Sequence, residues 1–135
     1  MTGKHRIFIG YHVDDLLYFT PTALRFDIGI DVRKKAEELF EKEISNSIVQ
    51  NKCLSCHIAE GSNQDQALAF VSTSNSDHLE INFLQFESLH EERGTEYIIN
   101  KSQGFISHGG GVQINSGTTE FLNLLTFLQL LEQIE

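Results

Sequence analysis

Asn51-Lys52-Cys53-Leu54-Ser55-Cys56-His57 is the stretch whose reading decides the fold. Two cysteines with two residues between them, followed at once by a histidine, form the Cys-x-x-Cys-His pattern of covalent haem c attachment. The chemistry sets the spacing. Two thiols add across the two vinyl groups of one porphyrin, so they must stand a fixed distance apart. Positions i and i+3 of a helical turn share a face, which lets Cys53 and Cys56 meet both vinyls. His57 follows directly and is placed to bind the iron as its proximal ligand.

Other uses of the same residues fit less well. A thioredoxin-type dithiol needs a βαβ setting, and no strand pattern leads into Cys53. A structural zinc site takes four ligands as a rule. The chain has two cysteines in all, so zinc would have to recruit scattered histidines. A disulfide across two residues closes a small strained loop and leaves His57 without a role.

Length and charge bound the rest. A chain of 135 residues is one domain with room for an attached segment. Hydrophobic residues make up 40% with no tryptophan, so an unaided core is modest and a buried porphyrin would enlarge it. A net charge of −9 argues against nucleic acid or an anionic membrane as partner and suits a basic protein surface. No run is apolar enough for a transmembrane helix, and no signal peptide opens the chain. Thioether bonds to haem are normally made outside the cytoplasm. The expected setting is therefore periplasmic or secreted, with this chain a piece of a longer exported protein and Met1 added to it.

Residues 1–30 read differently from 31–135. Arg6–His12 and Leu16–Thr20 are β-rich runs around the turn-like Val13-Asp14-Asp15, and Ala23–Ile30 alternates like a third strand after Pro21. Three strands are marginal alone, so this segment is expected to end a preceding β-sandwich, to form an arm, or to pair with a second copy of the chain. His5 and His12 lie within it and read as strand or surface residues.

From Asp31, a candidate N-cap, a helix is expected over Val32–Lys52. Val32, Ala36, Leu39, Phe40, Ile44, Ser47 and Ile48 recur at three- and four-residue steps as one face. The opposite face, with Arg33, Lys34, Lys35, Glu37, Glu38, Glu41, Lys42 and Glu43, reads as solvated. Asn46 and Ser47 are a candidate break. Residues 58–63 read as loop, Leu68–Val71 as a short apolar run and Ser72–Asp77 as a polar turn. Asn82 is a candidate cap for a short helix over Phe83–Glu91, and Gly94-Thr95 restarts a second over Glu96–Ser102. His78 reads as a turn residue and His90 as a helix-end charge. A closing helix spans Thr118–Ile134, capped by Thr118 or Thr119, with Phe121, Leu124, Leu125, Leu128, Leu131 and Ile134 as its apolar face.

Before that helix stands His108-Gly109-Gly110-Gly111. Three glycines let backbone approach a flat ligand closely, since no Cβ intervenes. The same four residues occur in lipase oxyanion loops, but that chemistry needs a Gly-x-Ser-x-Gly elbow, which the chain lacks.

An amphipathic helix ending at Cys-x-x-Cys-His, then loops and short helices, then a closing amphipathic helix, resembles a class I cytochrome c domain over 31–135. The segment Ile106–Gln113 with the closing helix is also similar to haem domains appended to secreted multidomain proteins of marine bacteria. The resemblance implies a mainly α fold around one covalent haem c, with the first and last helices crossing. Residues 1–30 would be a β-rich N-terminal segment beside it. The resemblance also implies a methionine as distal ligand in the loop before the last helix. The single methionine here is Met1, and His108 stands where that methionine would be. His108 is thus the expected distal ligand, with another histidine or an open, water-bound iron as alternatives. The implied function is electron transfer to or from a redox protein or neighbouring redox domain, not catalysis. A haem sensor or peroxidase-like protein with an open distal site, or a structural module stabilised by haem, are the alternatives. Haem should stay with the denatured chain on extraction with acidified organic solvent, because two thioether bonds hold it; haem found in the solvent layer would sink the covalent reading.

Overall fold

The computed structural model describes residues 32–59 and 68–134 in full, and residues 4–7, 10–13, 16–19, 24–27 and 29–31 by backbone alone. That backbone forms strands β1 (Lys4–Ile7), β2 (Gly10–Val13), β3 (Leu16–Phe19) and β4 (Leu24–Asp27). β1 pairs antiparallel with β4 and β2 with β3. The side chains expected to form an arm, His5 and His12 among them, lie outside the described residues.

The fold is mainly helical. Helix α1 spans Gly29–Leu39. It starts before Asp31, which therefore lies in its first turn and is not the N-cap. Val32 and Ala36 are buried at an i, i+4 step. The charged face is solvated as expected except where it reaches other helices: Glu43 accepts Asn123 Nδ2 at 3.1 Å, and Arg33 goes further. Arg33 reaches across to Glu87 at 2.6 Å while also bonding Glu37 at 3.1 Å, and its guanidinium lies over the Phe83 ring.

From Phe40 to Cys53 the winding widens into a π-helix without a break at Asn46 or Ser47. The Leu54 amide, for instance, bonds the Val49 carbonyl five residues back. Wider turns carry more residues each. Burial accordingly steps Phe40, Ile44 and Ser45, then Ile48 and Val49, towards Cys53. An α-helical reading places Ser47 on this face. In the π form Ser45 and Val49 take the inner positions and Ser47 is only half-buried.

Helix α2 runs from His78 to Ser102 with a sharp kink at Gly94 (φ 76°, ψ 170°). The positive φ suits glycine, which has no Cβ to clash. The expected restart at Gly94-Thr95 is this kink. The expected cap is not. Asn82 lies one turn inside α2, fully buried. Helix α3 spans Thr119–Glu132, and the Thr118 hydroxyl caps it by accepting the Phe121 amide at 3.2 Å.

α3 packs on α1, on the π segment and on α2. Their meeting point is aromatic. Phe127 lies 5.5 Å from Phe40, 5.7 Å from Phe83 and 5.7 Å from Phe86, ring centre to ring centre, mostly in edge-to-face contact. Phe70 joins through Phe86 at 5.3 Å. Phe127 was absent from the expected apolar face although it stands three residues after Leu124 and four before Leu131, on the same stripe. Among the described residues, no helix is long and apolar enough to cross a membrane.

Removing a fully enclosed ring leaves a cavity that its neighbours fill only in part. Phe127→Ala should lower stability by about 3–5 kcal/mol, read as a shift in the urea midpoint. Phe105→Ala, at a side chain 76% exposed, should shift it by no more than about 0.5 kcal/mol.

Candidate functional site

Cys53, Cys56, His57 and His108 line a single cleft between the π segment, α2 and the loop before α3. The cleft encloses about 790 Å³ of atom-free space, its open mouth included. Ile48, Phe86, Leu89, Ile98, Ile114 and Leu124 supply its apolar wall. Lys52, Tyr97, Lys101 and Gln113 are polar lining residues. They carried no local signal as site residues in the sequence, because three different segments bring them here.

The π segment delivers the first cysteine at its last position. A tight turn follows, in which the amides of Cys56 and His57 both bond the Cys53 carbonyl, at 3.2 and 3.0 Å. Cys53 is half-buried and Cys56 exposed, and both are thiols, not a disulfide. Burial pushes the Cys53 thiol up to about 12, with Cys56 adding to the rise and Lys52 opposing it. A thiol of that kind is a poor nucleophile as it stands.

The two histidines face each other. Their ring centres are 5.9 Å apart and their planes differ by 22°. His57 Nδ1 lies 3.3 Å from the Leu68 carbonyl. His108 Nδ1 lies 3.0 Å from the Gly111 carbonyl. A carbonyl can only accept, so each Nδ1 carries the proton and donates it. Each Nε2 is then an unprotonated acceptor of the kind a metal binds. Two imidazoles bound end-on to one metal ion, with bonds of about 2 Å, would hold their centres about 6 Å apart. The observed spacing fits that arrangement.

The segments behind the histidines differ. His57 is backed by an extended strip, in which Phe70 N bonds the His57 carbonyl at 2.6 Å and Ala59 N bonds the Phe70 carbonyl at 2.8 Å. Residues 60–67 between them lie outside the described residues. His108 sits on a turn closed by itself, since Gly111 N bonds the His108 carbonyl at 2.8 Å while the ring bonds the Gly111 carbonyl. Gly111 holds φ at 68°, and a Cβ on Gly110 would stand 3.0 Å from Gln113 Nε2 and 3.7 Å from His108 Cε1. Two of the three glycines thus have a stated reason. The loop base is tied to α2, where the Ser102 carbonyl accepts the Gln113 and Ile114 amides at 2.9 and 3.1 Å. Lys101 also donates to the Ser107 carbonyl.

The remaining histidines are elsewhere. His78 opens α2 and its Nδ1 lies 2.9 Å from the Asn75 carbonyl. His90 corrects the helix-end reading: it is 4% exposed, with Nε2 3.0 Å from Thr95 Oγ1. Thr95 Oγ1 in turn donates to Glu132 at 2.5 Å, tying the Gly94 kink to the end of α3. Among the described residues, no group of three or more His, Cys, Asp or Glu side chains converges as a bare metal ion would need.

Comparisons with protein-family models, with curated proteins and with solved structures return no match. The site's reading therefore stands on its own geometry.

His57 is held neutral mainly by burial, with His108 and Lys101 adding to the effect and the Leu68 carbonyl opposing it. Its folded pKa lies below the ordinary 6.5. The stability it contributes is therefore whole above about pH 6.5 and is lost as pH falls through the lower folded value. In cofactor-free chain, the melting temperature should drop on acidification from about pH 7 to 5. His57→Gln should flatten that drop; an equal slope in both proteins would assign it to other groups.

Proposed function

We propose that this chain is a mono-haem c-type cytochrome domain that carries single electrons. Cys53 and Cys56 would hold the porphyrin by thioether bonds, and His57 and His108 would bind the iron from its two sides. The observation that carries this reading is the facing pair of imidazoles, each with Nδ1 tied to a backbone carbonyl, in the same cleft as both cysteines. The wall fits a porphyrin because it is apolar.

The bound haem would supply a one-electron Fe(III)/Fe(II) couple. The chain's own residues do the rest. With both His57 and His108 holding the iron, no position would be open to oxygen or peroxide, which would favour transfer over catalysis. Replacing the usual methionine by histidine lowers the potential, since Met/His ligation raises it. The Leu68 and Gly111 carbonyls fix both tautomers and make the rings stronger donors. The partner would be a redox protein or neighbouring redox domain, and a net charge of −9 favours a basic docking surface on it. Haem of this type is attached outside the cytoplasm, so the proposed setting is periplasmic or secreted.

A haem sensor or peroxidase-like protein is the second reading, favoured by the exposed glycine turn that carries His108. Carbon monoxide separates the two. The electron-transfer reading expects a six-coordinate low-spin spectrum, with no sulfur-to-iron band, and no binding of carbon monoxide by the reduced protein. His108→Ala should give a high-spin or water-bound iron that takes up carbon monoxide readily, and His108→Met should raise the potential. Wild-type protein that binds carbon monoxide at once would favour the sensor. An unchanged low-spin spectrum in His108→Ala would place the distal ligand on another histidine.

A further inference from the structure

The most deeply buried polar side chain of the described core is Asn82. It lies inside α2 with no exposed surface, on the face that buries Phe83 and Phe86. A buried amide without partners is expensive. This one is paired at both ends, with a residue outside its own helix. Its Oδ1 accepts the Val71 amide at 2.8 Å and its Nδ2 donates to the Val71 carbonyl at 2.9 Å. Asn82 therefore pairs with Val71 as a neighbouring strand would. One turn further on, Gln85 Oε1 accepts the Ala69 amide at 3.1 Å. Two side chains of α2 thus hold the backbone of 69–71 from one edge, where the Val71 carbonyl also accepts Gln50 Nε2 of the π segment at 3.1 Å. The opposite edge of the same strip pairs with residues 57–59. Its first residue, Leu68, supplies the carbonyl that takes the His57 Nδ1 proton.

We infer that Asn82 and Gln85 are positioning residues for His57, a clip that sets the Leu68 carbonyl and through it the proximal ring's tautomer and donor strength. The inference rests on the haem reading of the site only for its effect on potential. The chain of contacts is complete on one side: α2 to strip, strip to Leu68, Leu68 to His57. His108 is held differently: its ring bonds within its own turn, and that turn is tied to α2 through the Ser102 carbonyl and the Lys101 side chain.

The test compares Asn82→Leu, Gln85→Leu and the double variant with Leu131→Ala. Leu131 is buried on α3 and has no polar side-chain atom to offer the strip, so its truncation loses stability without removing a hydrogen bond from that chain of contacts. Two readouts are taken on purified full-length protein: exchange of the His57 Nδ1 proton by NMR, and midpoint potential. The clip variants should exchange that proton roughly tenfold faster or more. Their potential should rise, because a weaker hydrogen bond makes the imidazole a poorer donor to Fe(III). Leu131→Ala should move neither, although it melts earlier. Clip variants that behave like Leu131→Ala on both readouts would overturn the inference. Protein that carries no haem would overturn the proposed function instead. The clip is then judged from the nitrogen shifts of His57, which must report the Nδ1–H tautomer in wild type and lose that preference in the variants.

Discussion

Two imidazole rings held 5.9 Å apart with their Nδ1 atoms facing backbone carbonyls are the constraint on which the rest of this structure depends. A neutral imidazole has one donor and one acceptor nitrogen. Assigning the donor to a carbonyl behind the ring directs the acceptor into the cleft. Both rings make that assignment, from opposite sides and from segments far apart in the chain. His57 follows the π segment by a short turn, while His108 hangs on a loop whose base is bonded to the end of α2. Neither could be moved without also moving the helix behind it.

The helices meet through aromatic rings that lie on the closed side of the cleft. Phe40, Phe83, Phe86 and Phe127 enclose one another, and Phe86 also faces the cleft. Core and site thus share a wall. A ligand filling the cleft would add apolar contact to the same cluster that joins the helices, so occupancy and stability are linked by mass action. At the far end of the bundle, the buried His90 and Thr95 join the α2 kink to Glu132 of α3 through hydrogen bonds where apolar packing runs out.

The residues that line the cleft from Cys53 to His57 were legible as a unit because they stand together in one short stretch of sequence. The absence of any methionine but Met1 directed attention to His108. The amphipathic helices were legible from periodicity, as was the break at Gly94. Three features were not. Asn82 reads as a cap because asparagine favours caps, and only the position of Val71 shows that its amide serves a distant strip. Ser45 and Val49 face inward because the turn is wider than an α-helix, and the period assumed in reading a sequence is 3.6. His90 looks like an exposed charge until Thr95 and α3 close over it.

The wide turn between Phe40 and Cys53 also constrains which insertions and deletions this stretch can accept. In an ordinary solvent-facing helix, loss of one residue near an end is absorbed by fraying. Here a residue lost anywhere between Glu41 and Lys52 would rotate everything after it about the helix axis by somewhat less than the roughly 100° step of an α-helix. Phe40 would stay against Phe127, while Cys53 would turn off the cleft and carry Cys56 and His57 with it. The segment thus acts as a phase-setter between core and site. Its length in residues, more than their identity on the outer face, is what selection has to preserve.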